Sequence, residues 1–173
     1  MPKQLLNEKH NTELNVDSSH YNVTQFLTFE LCSEVYGIDI LNIREIIDYG
    51  HITRVPMMSE FIAGVVNLRG NVVPVVDLAL RFSQTPAAKT KRTSIVIVDV
   101  EYDGQKLEIG VTVDVVNEVL EIISSEIEPA PSFGTKIRTD FIRGMGKING
   151  KLLVLLDIGS ILSVAELSIA DEM

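Results

Sequence analysis

Four aspartates, Asp77, Asp99, Asp114 and Asp157, fall at or beside the ends of apolar runs. Carboxylates so placed could serve as a general acid and a general base. Asp77 and Asp157, however, each stand just before a helical or turn segment, the position from which a carboxylate accepts hydrogen bonds from exposed backbone N–H groups, so capping is the expected role. His51, beside Gly50, is the one histidine outside the polar N-terminal stretch, and reads as a turn residue. Gly144-Met-Gly146-Lys147 imitates a phosphate loop but lacks the Ser or Thr that would hold magnesium, and it lies between Phe141-Ile142 and a hairpin. No G-x-S-x-G elbow and no H-E-x-x-H helix occurs. Cys32 is the only cysteine; it lies in an alternating apolar run and is expected to be structural rather than reactive. The pattern names no catalytic residue and no metal or cofactor ligand.

Two charged residues stand where a core would not need them. Asn67-Leu68-Arg69-Gly70 sets a guanidinium at the tip of a hairpin, and Glu45 interrupts the apolar run from Ile43 to Ile47. An acid beside exposed aliphatics has the composition of a docking surface. From the pattern alone, Glu45 and Arg69 read equally well as docking residues and as solvated surface charges.

The elements that must hold these residues are short. Apolar runs of strand length cover 25–31, 36–40, 43–47, 72–76, 94–100, 106–113, 115–123 and 151–156. Asp103-Gly104 and Asn149-Gly150 each separate two such runs, as in hairpins closed by type I′ turns. With 20 Val and 19 Ile, the chain is rich in residues that prefer strands. Ungapped self-similarity then organises the whole: FIAGVVNLRGNVVPVVDL (Phe61 to Leu78) aligns on FIRGMGKINGKLLVLLDI (Phe141 to Ile158), and GIDILNIREII (from Gly37) on GVTVDVVNEVL (from Gly110). Arg69 falls on Asn149, the ordinary turn residue, and that asymmetry suggests a task for Arg69. Each half has the order strand, Gly-started strand pair, Pro-containing loop, Phe-Ile-x-Gly turn and final hairpin ending in Asp. The expectation is an all-β chain of two related units of about five strands. Each unit would close as a small barrel, and the two would pack on a shared Ile/Val/Leu layer because a half alone buries too little surface. The boundaries expected are a flexible tail over 1–22 and one domain over 23–163. Its intertwined subdomains cover roughly 24–85 and 90–160, and a tail or helix end follows over 164–173.

The 173 residues carry a net charge of −9, with 46% hydrophobic and 23% charged residues. That is a globular composition whose field repels nucleic acid and anionic membranes. An oligonucleotide-binding barrel would need a basic groove with stacking aromatics, which this chain lacks. No membrane-length apolar run and no signal-peptide pattern are present, so the expected location is the cytoplasm, without membrane insertion.

The stretches QFLTFEL (Gln25 to Leu31), YGIDI (Tyr36 to Ile40), ITRVP (Ile52 to Pro56), FIAGVVNLRGNVVPVVDL and LLVLLDI (Leu152 to Ile158) resemble the CheW-like coupling proteins of bacterial chemotaxis. The resemblance spans residues 24–163, and Ser59 stands where the family often has proline. It implies two packed five-stranded SH3-like β-barrels sharing a hydrophobic core, with short helices and a C-terminal helix. It implies a scaffold without catalytic activity or cofactor. Its partners would be the cytoplasmic hairpin tip of a chemoreceptor, the regulatory domain of the histidine kinase CheA and further copies of itself, in membrane-associated arrays. Receptor-facing positions carried over are Ile43, Glu45, Gly64, Arg69, Ser94, Val116 and Val119; the kinase-facing residues are not assigned. On such a receptor groove Glu45 and Arg69 are expected to approach each other across its edge. A related scaffold of another chemosensory pathway would carry the same pattern. An enzyme using strand-end aspartates is the remote alternative. A coupling protein with a receiver domain would need a longer chain.

Overall fold

The computed structural model describes residues 22–50, 52–132 and 134–167. The tail expected over 1–22, apart from Asn22, lies outside the described residues, as do His51 and the segment 168–173. Ten strands are described: β1 (Val23–Leu31), β2 (Glu34–Asp39), β3 (Ile43–Asp48), β4 (Ile62–Leu68), β5 (Asn71–Val76), β6 (Ser94–Tyr102), β7 (Gln105–Val113), β8 (Val115–Ile123), β9 (Ile142–Ile148) and β10 (Lys151–Leu156). Single-turn helices α1 (Leu78–Arg81), α2 (Ile158–Ile161) and α3 (Val164–Leu167) follow β5 and β10. The chain is all-β with short helices, in two curled five-stranded sheets that form SH3-like barrels.

The sheet orders are β8-β1-β2-β10-β9 and β3-β6-β7-β5-β4. Renaming each strand by its repeat mate turns one order into the other, so the internal repeat is a repeat of fold. The division at residues 85–90 separates the repeats, but the sheets cross it. The hairpin β1–β2 joins β8, β9 and β10, while β6–β7 joins β3, β4 and β5. The parallel pairings that stitch in the exchanged hairpins are centred on repeat-equivalent glycines, Gly37 against Leu155 and Gly110 against Val75. A Cβ on Gly110 would lie 2.7 Å from Ile95 Cγ2 of its own hairpin and 3.3 Å from Val75 Cγ2 across the parallel pairing, so β7 can lie this close to both neighbours only because no side chain is there.

Strand alternation divides the apolar residues among three cores. Ile95 and Ile97 point into one barrel with Val66, Val73 and Val75, and Phe26 points into the other with Ile122, Leu153 and Leu155. Their neighbours Val96 and Val98, with Leu27, Phe29 and Leu31 from the opposite sheet, meet in the shared central layer. That layer also holds a chain of rings absent from the expected aliphatic core: Phe29, Tyr36, Phe82 and Phe141, with consecutive centroids 5.5–5.9 Å apart.

Both barrels close in the same way. After β3, Thr53 exchanges two backbone hydrogen bonds with Val65 of β4 (2.9 and 2.8 Å); after β8, Glu128 does so with Met145 of β9 (2.9 and 2.7 Å). The Phe-Ile-x-Gly segments, expected as turns, instead open β4 and β9. Register shifts between Ile62 and Gly64 and between Ile142 and Gly144 bend the strands toward the seam. Cys32, expected within an apolar run, sits with Ser33 in the β1–β2 turn, both at positive φ (50° and 66°).

Candidate functional site

Arg69 occupies the first central position of the β4–β5 turn at φ 50°, followed by Gly70 at 88°, the left-handed pair of a type I′ turn. Asn149 and Gly150 fill the same positions between β9 and β10 at 49° and 79°. Asn tolerates this region better than Arg, so the turn pays a local conformational cost to place a guanidinium at its tip. Asn67 Oδ1 steadies the turn by accepting the Gly70 N–H at 3.0 Å.

From that tip Arg69 reaches back to β3 and donates to both carboxylate oxygens of Glu45, at 2.5 Å from Nη2 and 3.5 Å from Nη1. The expected approach of the two charges is therefore present. The pair spans the wedge where β3 and β4 diverge from their seam at Thr53 and Val65. Glu45 is 29% exposed and Arg69 is 70% exposed, so the guanidinium keeps free donor edges toward solvent. The hydrogen bond from Arg69 holds the Glu45 carboxyl below its usual value, and Glu45 raises Arg69 in return. Both stay charged at neutral pH. Alongside, Arg44 links Asp99 and Glu108, each at 3.4 Å.

The remaining positions distribute around this pair. Ile43 on β3 and Val116 on β8 are repeat mates, and both are half-buried against the central core from opposite sheets. Ser94 lies across from Asp48, and its hydroxyl donates to the Arg92 carbonyl at 3.3 Å. Val119 lies on the outermost strand of the other sheet and is 48% exposed. Gly64 has a place in the fold itself: a Cβ there would meet the Thr53 carbonyl oxygen at 2.4 Å, so the seam requires glycine. Its mate Gly144 lies likewise against Ile127 and Glu128. Ile46, which neighbours Glu45 and is 43% exposed, is not among the positions carried over from the resemblance. Its alignment on Val119 was the signal that could have singled it out.

The strand-end aspartates all have structural partners. Asp77 accepts from Leu80 N–H (3.2 Å) and Asp157 from Ser160 N–H (3.1 Å), as expected of caps. Asp114 accepts from Cys32 N–H at 2.9 Å, and Asp99 holds Arg44. Gly144 to Lys147 run within β9, where the backbone pairs with β10 and forms no phosphate-binding loop.

Residues 25–166 match the CheW-like domain family. The chain belongs to that family. Among CheW-family relatives, the chemotaxis protein CheW of Klebsiella aerogenes is 37% identical over 149 residues, covering 86% of this chain and 87% of its own. The chemotaxis protein CheW of Thermotoga maritima is 32% identical over 141 residues, covering 80% and 87%. The crystal structure of the scaffolding protein TtCheW from Thermoanaerobacter tengcongensis superposes with a TM-score of 0.73 at 37% identity, covering 82% of this chain and 89% of that one. The CheW fold thus comprises the paired barrels described above. No described helix is long and apolar enough to cross a membrane.

Proposed function

We propose that this chain is a non-catalytic chemotaxis adaptor that couples the cytoplasmic hairpin tip of a chemoreceptor to the regulatory domain of the histidine kinase CheA. It would act in the cytoplasm, recruited to membrane-associated receptor arrays. The observation that carries this reading is the Glu45–Arg69 pair: an oriented, solvent-facing guanidinium kept in a strained turn position whose repeat mate is Asn149. A helical hairpin presents apolar side chains with a few polar ones, and its recognition calls for aliphatics with charges that set the register. Ile43, Ile46, Val116 and Val119 supply the aliphatics and Arg69 the register charge. Ser94 would border this face, while Gly64 would act on it through the seam. The membership in a family whose relatives are named chemotaxis and scaffolding proteins supports the same reading.

The test is capture of a receptor cytoplasmic hairpin and of a CheA regulatory domain by the purified chain. Arg69→Ala and Glu45→Ala are expected to lower receptor capture while the circular dichroism spectrum stays unchanged. Failure of the folded wild type to capture either partner would refute the coupling role.

A further inference from the structure

The connector between the repeats, residues 84–93, is where the charge of this acidic protein reverses. Lys89, Lys91 and Arg92 lie within four residues and all three are exposed. Arg44, Arg69, Arg81, Lys136, Arg138 and Arg143 are held in ion pairs. Among the described residues, none of the three connector cations has such a partner.

The connector is held in place. At its start the Thr85 carbonyl accepts from Cys32 Sγ at 3.5 Å, and at its end the Thr93 carbonyl accepts from Tyr49 N–H at 3.2 Å, so it is tied to both sheets. Between these points Thr90 and Thr93 close a tight turn. The Thr90 N–H donates to Thr93 Oγ1 at 2.9 Å, and the Arg92 N–H to Thr90 Oγ1 at 3.1 Å. Thr93 is buried beneath the turn, while Lys91 and Arg92 project from it. The Lys89 ammonium sits 5.0 Å from the centre of the Tyr49 ring. Next to the cations a shallow cavity is walled by Ala87, Ala88 and Val115, and Asp114, which accepts from the Cys32 N–H, also lines it.

We infer that this connector is a docking surface for a short acidic segment of a partner protein, with carboxylates on Lys91 and Arg92 and an aliphatic side chain against Ala87, Ala88 and Val115. The net charge of −9 decides between anions. A long polyanion such as nucleic acid or a lipid surface must also approach the acidic remainder of the molecule. A segment of a few residues leaves most of the acidic remainder beyond the Debye length, about 10 Å at 0.1 M salt, and meets chiefly the local cations. The surface uses neither Glu45 nor Arg69, so it stands or falls apart from the adaptor reading.

The test is fluorescence anisotropy with a labelled peptide Asp-Glu-Leu-Asp-Glu-Leu and its Asn/Gln counterpart, on the full chain. Binding of the acidic peptide is expected at about 0.1 M salt, where the acidic remainder is screened. It should weaken as salt rises, drop at least about tenfold in the Lys89→Gln, Lys91→Gln, Arg92→Gln triple variant, and hold in Arg69→Ala. Circular dichroism checks that the triple variant remains folded. The inference is overturned by no binding, by equal binding to the triple variant or the amide peptide, or by tighter binding to a DNA oligonucleotide or to phosphatidylserine vesicles.

Discussion

Arg81 and Ile161 are repeat mates eighty positions apart, and the Nε of the first donates to the carbonyl of the second at 2.7 Å. The two halves of the molecule thus touch through equivalent positions, one of which has exchanged an aliphatic side chain for a guanidinium. Arg81 is 5% exposed, with its guanidinium carbon 4.8 Å from the centre of the Phe141 ring and 5.2 Å from that of Phe61. Its Nη2 donates to Glu166 of α3 at 3.1 Å.

Arg81→Ala should lower stability by about 2–4 kcal/mol, because it empties volume between two rings and strands a buried carbonyl. Arg81→Leu should cost less, since it refills most of the space. Urea denaturation of both variants checks the order; equal costs would show that the hydrogen bonds outweigh the packing.

Gly64→Ala should destabilise more than Gly144→Ala, although the two are repeat mates. The added methyl at residue 64 meets Ile52 Cγ2 at 2.3 Å and the Thr53 backbone oxygen at 2.4 Å, while at residue 144 it meets Ile127 Cγ2 at 2.5 Å and the Glu128 backbone oxygen lies at 3.0 Å. Overpacking of this kind costs about 1–3 kcal/mol. Thermal melts of the two variants give the comparison.

The Glu45 carboxyl should titrate below its ordinary value of 4.5, first because Arg69 donates to it. A carboxyl depressed in the folded state contributes stability that is complete above the unfolded value and lost as pH falls through the folded one. The ion pair should therefore persist through the neutral range and open only under acid conditions. A carboxyl NMR titration of wild type and Arg69→Ala measures it, with the Glu45 midpoint moving up toward 4.5 in the variant.

The Cys32 thiol is raised above its ordinary value of 9.0, first by burial and then by the carboxylates of Asp114 and Asp77. Alkylation at pH 7–8 should be slower than that of a free thiol, because the thiolate is the reacting species. Asp114→Asn should speed it. An unchanged rate in that variant would leave burial and Asp77 as the causes.

Strands and hairpins were legible because the chain alternates cleanly and marks its turns: Asp103-Gly104 and Asn149-Gly150 adopt the predicted positive φ. The repeat was legible through Gly64 and Gly144, Asp77 and Asp157. The exchange of β1–β2 and β6–β7 was not, because self-similarity shows which segments are alike and not which ones pair. Arg81 was passed over because an arginine closing a short amphipathic turn resembles a solvated one; only the convergence of Phe61, Phe141 and the Ile161 carbonyl shows that it is buried. The mismatch between Arg69 and Asn149 singled out Arg69, whereas its contact with Glu45 was anticipated from the receptor groove that the family resemblance implies. The exposure of Ile46 depends on the twist of an edge strand, which spacing does not encode.

The hairpin exchange also sets an order of events for the growing chain. The sheet β3-β6-β7-β5-β4 draws only on residues 43–113, a continuous stretch. The other sheet pairs Val23 with Ile123 and Tyr36 with Val154, so its first hairpin must wait until the last strands have been made. Closing contacts of such long sequence separation is slow. Until then β1 and β2 expose Phe26, Phe29 and Ile38, and a chain stalled during synthesis offers an unmatched apolar hairpin to its neighbours.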